Sequence, residues 1–159
     1  MCQKVQFNNY GNDEILFGRA GYLSGIFWLN QFLEPNERIG QNIANHISDV
    51  MIESGIEYAK RTKCQIPLMY ECYGDKYLGA AHGISSILHM LLESPIFNNL
   101  KGVLDTKRML VKNFIDEFLL MQDRYGNFPC KLEEAYMSEH KLVHWCHGAP
   151  GVIYLFAKA

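Results

Sequence analysis

Phe17-Gly18-Arg19-Ala20-Gly21-Tyr22-Leu23 returns twice in altered form, as Gly79-Ala80-Ala81-His82-Gly83-Ile84-Ser85 and as His147-Gly148-Ala149-Pro150-Gly151-Val152-Ile153. Each segment is glycine-rich and leads into an apolar, helix-like stretch. Aligned on their second glycines, at 21, 83 and 151, the segments recur at intervals of 62 and 68 residues. That period is too long for a single helix pair of a solenoid repeat, which takes roughly 34 residues. It suits two helices joined by long connections.

The residues between the glycine segments carry the second helix. From Asn42 to Lys60, apolar Ile43, Ile47, Val50, Met51 and Ala59 are separated by polar faces. From Thr106 to Gln122, Met109, Leu110, Phe114, Ile115, Phe118 and Leu119 do the same. Both patterns have helical periodicity. Tyr22 to Phe32, Ile84 to Leu92 and Val152 to Ala157 are instead apolar on most faces, which predicts buried helices. Each repeat therefore reads as an amphipathic outer helix, a loop and a glycine-led inner helix. The fold class is all-α, a partial α/α toroid in which inner helices ring an axis. A plain helical bundle with accidental glycine similarity is the alternative. The connectors 62–78 and 123–143 read as ordered loops with short strands.

Equivalent inner helices place their N-termini at one end of the toroid. The glycine loops would converge there and expose backbone N–H groups at positive dipole ends. Glu14, His82 and Cys146 all lie near those starts, so residues more than sixty positions apart would share one cavity.

Composition narrows the function classes. The 159 residues are 48% hydrophobic and 20% charged, with a formal net charge of -2. This balance gives no electrostatic footprint for nucleic acid. The scattered basic residues form no polybasic membrane patch. No apolar run reaches the roughly 18 residues that span a bilayer, and Lys4 is followed by mixed polar residues, unlike a signal peptide. Cys2, Cys64, Cys72, Cys130 and Cys146 are odd in number and irregularly spaced, which suits free thiols in a reducing compartment. A cytoplasmic location follows, with peripheral association at the plasma membrane left open.

Five residues are candidates for chemistry. Cys146, within His144-Trp145-Cys146-His147-Gly148, is either a zinc thiolate or a buried free cysteine. His147 beside it either faces the cavity or bonds backbone at a helix start. His82, between the small residues Ala81 and Gly83, is suited to proton transfer, or is a satisfied core histidine. Glu14 is an active-site acid or a helix N-terminal carboxylate held by the dipole. Arg19 either grips a substrate carboxylate bidentately or forms an ion pair. Tyr70, Tyr73 and Tyr77 read as packing residues. A carbohydrate-active toroid would need paired carboxylates across the cavity, and only Glu14 is placed for that.

The runs Asp13 to Leu23, Pro67 to Tyr70, Tyr77 to Gly83 and His144 to Gly151 resemble, in order, the LanC superfamily of lanthionine synthetase cyclases and their eukaryotic LanC-like relatives. Ser85-Ser86-Ile87-Leu88 and Leu155 to Ala159 look most like the third eukaryotic branch. The resemblance implies a seven-fold α/α barrel with zinc at its open end. It makes residues 1–159 a fragment of one toroid domain, about two and a half of seven repeats. Cys146 matches the first zinc cysteine. The remaining ligands, a cysteine and a histidine, are expected beyond Ala159. His82 matches the family's catalytic histidine, and Glu14 falls where the bacterial cyclases carry an acid. Leu142 and His147 replace a bacterial arginine and tyrosine, which follows the eukaryotic pattern and argues against lanthionine cyclisation. The implied activity is addition of glutathione to dehydroalanine or dehydrobutyrine in peptides and proteins. A non-enzymatic adaptor that binds glutathione or a partner protein is the rival.

Overall fold

A computed structural model describes residues 12–97 and 104–159; Cys2 and Lys4 lie outside these residues. Among these residues five α-helices follow one another: α1 Arg19–Leu29, α2 Gln41–Arg61, α3 Ile84–Glu93, α4 Leu104–Leu119 and α5 Ala149–Lys158. Short 3-10 turns cover Pro95–Phe97 and Leu132–Glu134. Among the described residues the connectors form no strand. They contribute isolated bridges, Cys72 with Asp75 and Tyr77 with Lys131. The strands expected there do not develop. The first connector reverses at once through Tyr73 and Gly74, both at positive φ (54° and 86°). In the second, Pro129 removes a ladder donor two residues before the bridge.

α3 packs on α1 along one side and more extensively on α5 along the other. α2 lies against α1. α4 reaches α2 through Lys107, which bonds Asp49 at 3.0 Å and Glu53 at 3.1 Å. It reaches α5 through Phe118, whose ring centroid lies 5.9 Å from that of Phe156. The glycine-led helices thus form an inner layer backed by α2 and α4, the all-α arrangement of a partial toroid. The outer helices are held by one apolar face each. α2 turns Ala44, Ile47, Met51 and Tyr58 inward, and α4 turns Val111, Phe114, Ile115 and Phe118. Lys60 and Arg61 in the last turn of α2 complement its dipole.

α3 is buried nearly all round, including its serines Ser85 and Ser86. α1 and α5 are not. Tyr22 and Trp28 of α1, and Ile153 and Tyr154 of α5, stay exposed. The expectation of all-round burial holds only for α3. Among the described residues α3 has an inner neighbour on both sides, while α1 and α5 have one each.

The structure also corrects the repeat register. The residues capping α1, α3 and α5 are Gly18, Gly83 and Gly148, an even spacing of 65 residues. Three residues further on, Gly21, Ser86 and Gly151 occupy one structural place. There the carbonyl six residues back lies against the first helical turn. A Cβ at Gly21 would run into the Ile15 carbonyl, and one at Gly151 into that of Trp145. In the middle repeat the Ser86 hydroxyl donates to the Ala80 carbonyl at 2.5 Å. Aligning Gly21 and Gly151 with Gly83 produced the uneven intervals, because their counterpart is a serine.

The first-turn N–H groups are not exposed as expected. Arg19 N donates to Asn12 O at 2.8 Å, and Ile84 N to Tyr77 O at 3.1 Å, the same seven-residue reach back. In α5 the side chain of Asn127 takes Ala149 N at 2.8 Å. The first two glycine loops fold back to satisfy their own helix starts, and the third start is satisfied by Asn127 of the second connector.

Candidate functional site

In the 65-residue register, Phe17, His82 and His147 each stand immediately before a capping glycine. The fold therefore brings three ring side chains to one end of the inner layer. His82 Nδ1 lies 3.2 Å from Glu14 Oε2, across 68 positions of sequence. Glu14 is only 1% exposed. Its other oxygen accepts the N–H groups of Phe17 and Gly18, the latter at 3.1 Å. The carboxylate is thus oriented by its own loop and presents its free oxygen to the imidazole. An ionised carboxylate accepts, so this contact favours the proton on Nδ1 of His82. The Phe17 ring, at 6.1 Å, and the Tyr73 ring, at 6.3 Å, flank the imidazole.

Beneath this pair lies a buried polar network. Arg19 Nη1 bonds Asp13 Oδ1 at 2.7 Å, and the Ser54 hydroxyl bonds Asp13 Oδ2 at 2.7 Å. Burial raises the Asp13 pKa, while Arg19 and Ser54 pull it down. Arg19 is itself 2% exposed. As placed, it does not reach out to a substrate carboxylate. The ion-pair alternative is what the geometry holds, and Arg19 braces the loop that presents Glu14.

The second and third glycine loops touch directly. A Cβ at Gly79 would run into the Cys146 carbonyl and the His147 Cα, so the glycine allows this close approach. His144 and His147 exchange backbone hydrogen bonds at 2.8 and 3.2 Å, which closes the turn around half-buried Cys146. Tyr77 lies between the two imidazoles, with centroids 5.9 Å from His82 and 5.6 Å from His147. Its hydroxyl donates to Asp75 at 3.2 Å, and the Lys131 ammonium sits 5.4 Å over its ring. Tyr77, read from sequence as packing, is the wall that connects the two halves.

His147 Nδ1 meets Cys130 Sγ at 3.1 Å. Burial lowers the His147 pKa; nearby His82, His144 and Lys131 add to that, against Glu134. Burial, followed by the charge of Glu134, pushes the Cys130 thiol up to about 11, so it stays protonated near neutrality. An open cavity of about 340 Å³ borders Cys130, lined also by Phe128, Glu134, Met137 and Leu142. Among the described residues no helix is long and apolar enough to cross a membrane.

With this geometry in place, comparison with known proteins is decisive about kinship. The family model for lanthionine synthetase C-like proteins matches residues 2–159. The chain belongs to this family. A curated relative from Danio rerio, named glutathione S-transferase LANCL1, is 37% identical over 150 residues. Those residues are 92% of this chain and 35% of the relative, so the chain spans about a third of that protein's length.

For this LanC-like chain the donor chemistry of a metal site can be tested on the residues themselves. Cys146 is half-buried in a tight turn, and a thiolate is a natural zinc donor. Among the described residues no group of three or more His, Cys, Asp or Glu side chains is arranged to hold a metal ion. Zinc takes at least three protein ligands even in open sites. The described residues thus offer thiol and imidazole donors of the right types, Cys146 among them, and not an arranged complete set.

Sequence reasoning brought out His82, Glu14, Cys146 and His147, and the fold collects them at one end. It missed Cys130 and Asp13. The 65-residue register would have marked His82 and His147 as equivalents. Nothing in the spacing of Cys130 announces its contact with His147, because that contact depends on the path of the second connector.

Proposed function

We propose that the protein adds a thiol, that of glutathione, to dehydroamino acids in peptides or proteins, and that this chain carries part of the site. The observation behind the proposal is the pairing of His82 with buried Glu14 at 3.2 Å, beside the loop that holds Cys146 and His147. The name of the Danio rerio relative supports glutathione as the thiol. Membership of the third eukaryotic branch, a cytoplasmic location with peripheral plasma-membrane association as the alternative, and the assignment of residues 1–159 to one toroid domain belong to the same proposal.

Each side chain has a definite task in this reading. Glu14 orients His82. His82 delivers the proton that the substrate α-carbon must gain. His147 holds the peptide near the acceptor carbon. Cys146 is one zinc ligand, and the others, a cysteine and a histidine, come from outside these residues. Bound zinc supplies the lowered pKa that lets a thiol react as thiolate, below its free value of about 8.5.

The test uses the full-length gene product, glutathione and a dehydroalanine peptide, with the adduct followed by mass spectrometry. The expected result is enzyme-dependent adduct that falls by about 100-fold in His82→Ala, as for loss of a general acid. Glutathione binding by calorimetry without adduct would instead establish the adaptor reading. Metal analysis of wild type and Cys146→Ala checks the zinc assignment separately, with loss of stoichiometric zinc expected in the variant.

A further inference from the structure

The tight turn ahead of His82 carries a residue that its own geometry disfavours. Cys72 and Asp75 exchange backbone hydrogen bonds at 2.9 and 3.1 Å, which closes a hairpin turn on two central residues, Tyr73 and Gly74. Both central residues have positive φ, 54° and 86°. Turns of this kind favour Asn, Asp or Gly at the first of these positions, because a bulky L side chain is crowded in the left-handed region. Tyr73 is held there against that preference. The ends of the turn are fixed without its ring. Cys72 is 1% exposed, the Glu71 carboxylate accepts the Tyr58 hydroxyl at 2.6 Å, and Asp75 pairs with Lys131 at 2.8 Å.

The reading of Tyr73 as a packing residue does not hold, since it is 60% exposed. Its ring lies 6.1 Å from that of Phe17 and 6.3 Å from the His82 imidazole, nearly perpendicular to it at 86°. Phe17 is itself 50% exposed and 6.1 Å from His82. Two half-exposed aromatic rings thus form an apolar flank beside His82. Residues in sparsely populated backbone conformations cluster at ligand-binding sites, where the strain is kept for what the side chain does.

We infer that Tyr73 is a specificity-determining residue, whose ring packs on the flat conjugated face of a dehydroamino acid and holds it beside His82. This deepens the thiol-addition reading and rests on it for the identity of the substrate. The α-carbon of a dehydroamino acid is trigonal, so its double bond lies flat with the adjoining carbonyl and an aromatic face can cover the whole group. The α-carbon of a saturated residue is tetrahedral, and a substituent stands out of that plane. The ring therefore separates an acceptor residue from the ordinary residues around it.

The test uses the full-length protein and Tyr73→Asn, which gives the turn a preferred residue and removes the ring. The variant should melt no lower than wild type, while the KM for a dehydroalanine peptide rises about tenfold, as for loss of an aromatic contact, with the KM for glutathione unchanged. Tyr73→Phe keeps the ring and should keep the wild-type KM. A lower melting temperature in Tyr73→Asn would make the ring a structural one, and an unchanged peptide KM would take it off the substrate; either result overturns the inference. Calorimetry with the dehydroalanine peptide and its alanine counterpart separates this inference from the reading it rests on. Wild type should bind the dehydroalanine peptide in preference, and Tyr73→Asn should lose that preference. If this holds and wild type forms no adduct, the thiol-addition reading fails and the role of Tyr73 stands. If wild type shows no preference, the inference falls, whether or not adduct forms.

Discussion

The two imidazole half-sites are built on the same repeat position and braced in different ways. His82 depends on Glu14, and Glu14 stands on a buried ion pair between Asp13 and Arg19. His147 depends on Cys130, and Cys130 stands on backbone hydrogen bonds to the neighbouring connector. The repeat supplies position; the residues outside it supply chemistry. A carboxylate stands behind one ring and a thiol behind the other.

The sharpest way to break this contrast is to remove the charge support under the first half-site. Arg19→Ala leaves Asp13 buried and unpaired, which should cost about 3–5 kcal/mol. Urea unfolding followed by circular dichroism measures it, and a loss below 1 kcal/mol would show that Asp13 is not held as an ion pair. The second half-site has no comparable charge to lose. Its signature is a quiet thiol: with the Cys130 pKa raised to about 11, alkylation by iodoacetamide at pH 8 should be about 100-fold slower than for an ordinary thiol of pKa about 8.5. Peptide mass spectrometry over time reads this out. The sign is fixed by the direction of the shift: the rate should climb as pH rises toward 11, and rapid labelling at pH 7 would mean that the thiol is already ionised.

A smaller effect probes the seam between the halves. Gly79→Ala presses a methyl group into the Cys146 carbonyl, and relief of that overlap should cost about 1–3 kcal/mol. Its ring signals should move at His147 more than at His82. Equal movement at both would mean that the two half-sites shift as one body. Smallest is Ser86→Ala, which removes the hydroxyl bond to Ala80 O and should cost about 0.5–1.5 kcal/mol. A thermal melt checks it. No change would remove the functional meaning of placing Ser86 in register with Gly21 and Gly151.

Much of the fold is legible in the residues. The helical periodicity of Ile47, Val50 and Met51 marks α2, and that of Phe114, Ile115 and Phe118 marks α4, because a helix packed on one face must repeat its apolar side chains every three to four positions. The glycine-led apolar segments mark α1, α3 and α5. The exact register escaped because a serine stands where the other repeats have glycine, and glycine counting cannot see that equivalence. The different burial of α3 and its flanking helices escaped too, since Trp28 and Ile153 are as apolar as Leu88 and only their neighbours differ.

The residue types at the site carried their own chemistry: a thiol at Cys146, imidazoles at His82 and His147, a carboxylate at Glu14. Local sequence was enough to set these beside glycine loops and to predict that the loops converge. It was not enough to choose the partners. That Tyr77 stands between two imidazoles and that Cys130 faces His147 depend on where connectors of seventeen and more residues run after the helices have packed. Periodicity is a property of a few adjacent residues, whereas a contact across 17 or 68 positions exists only when the core has brought its two chain segments together.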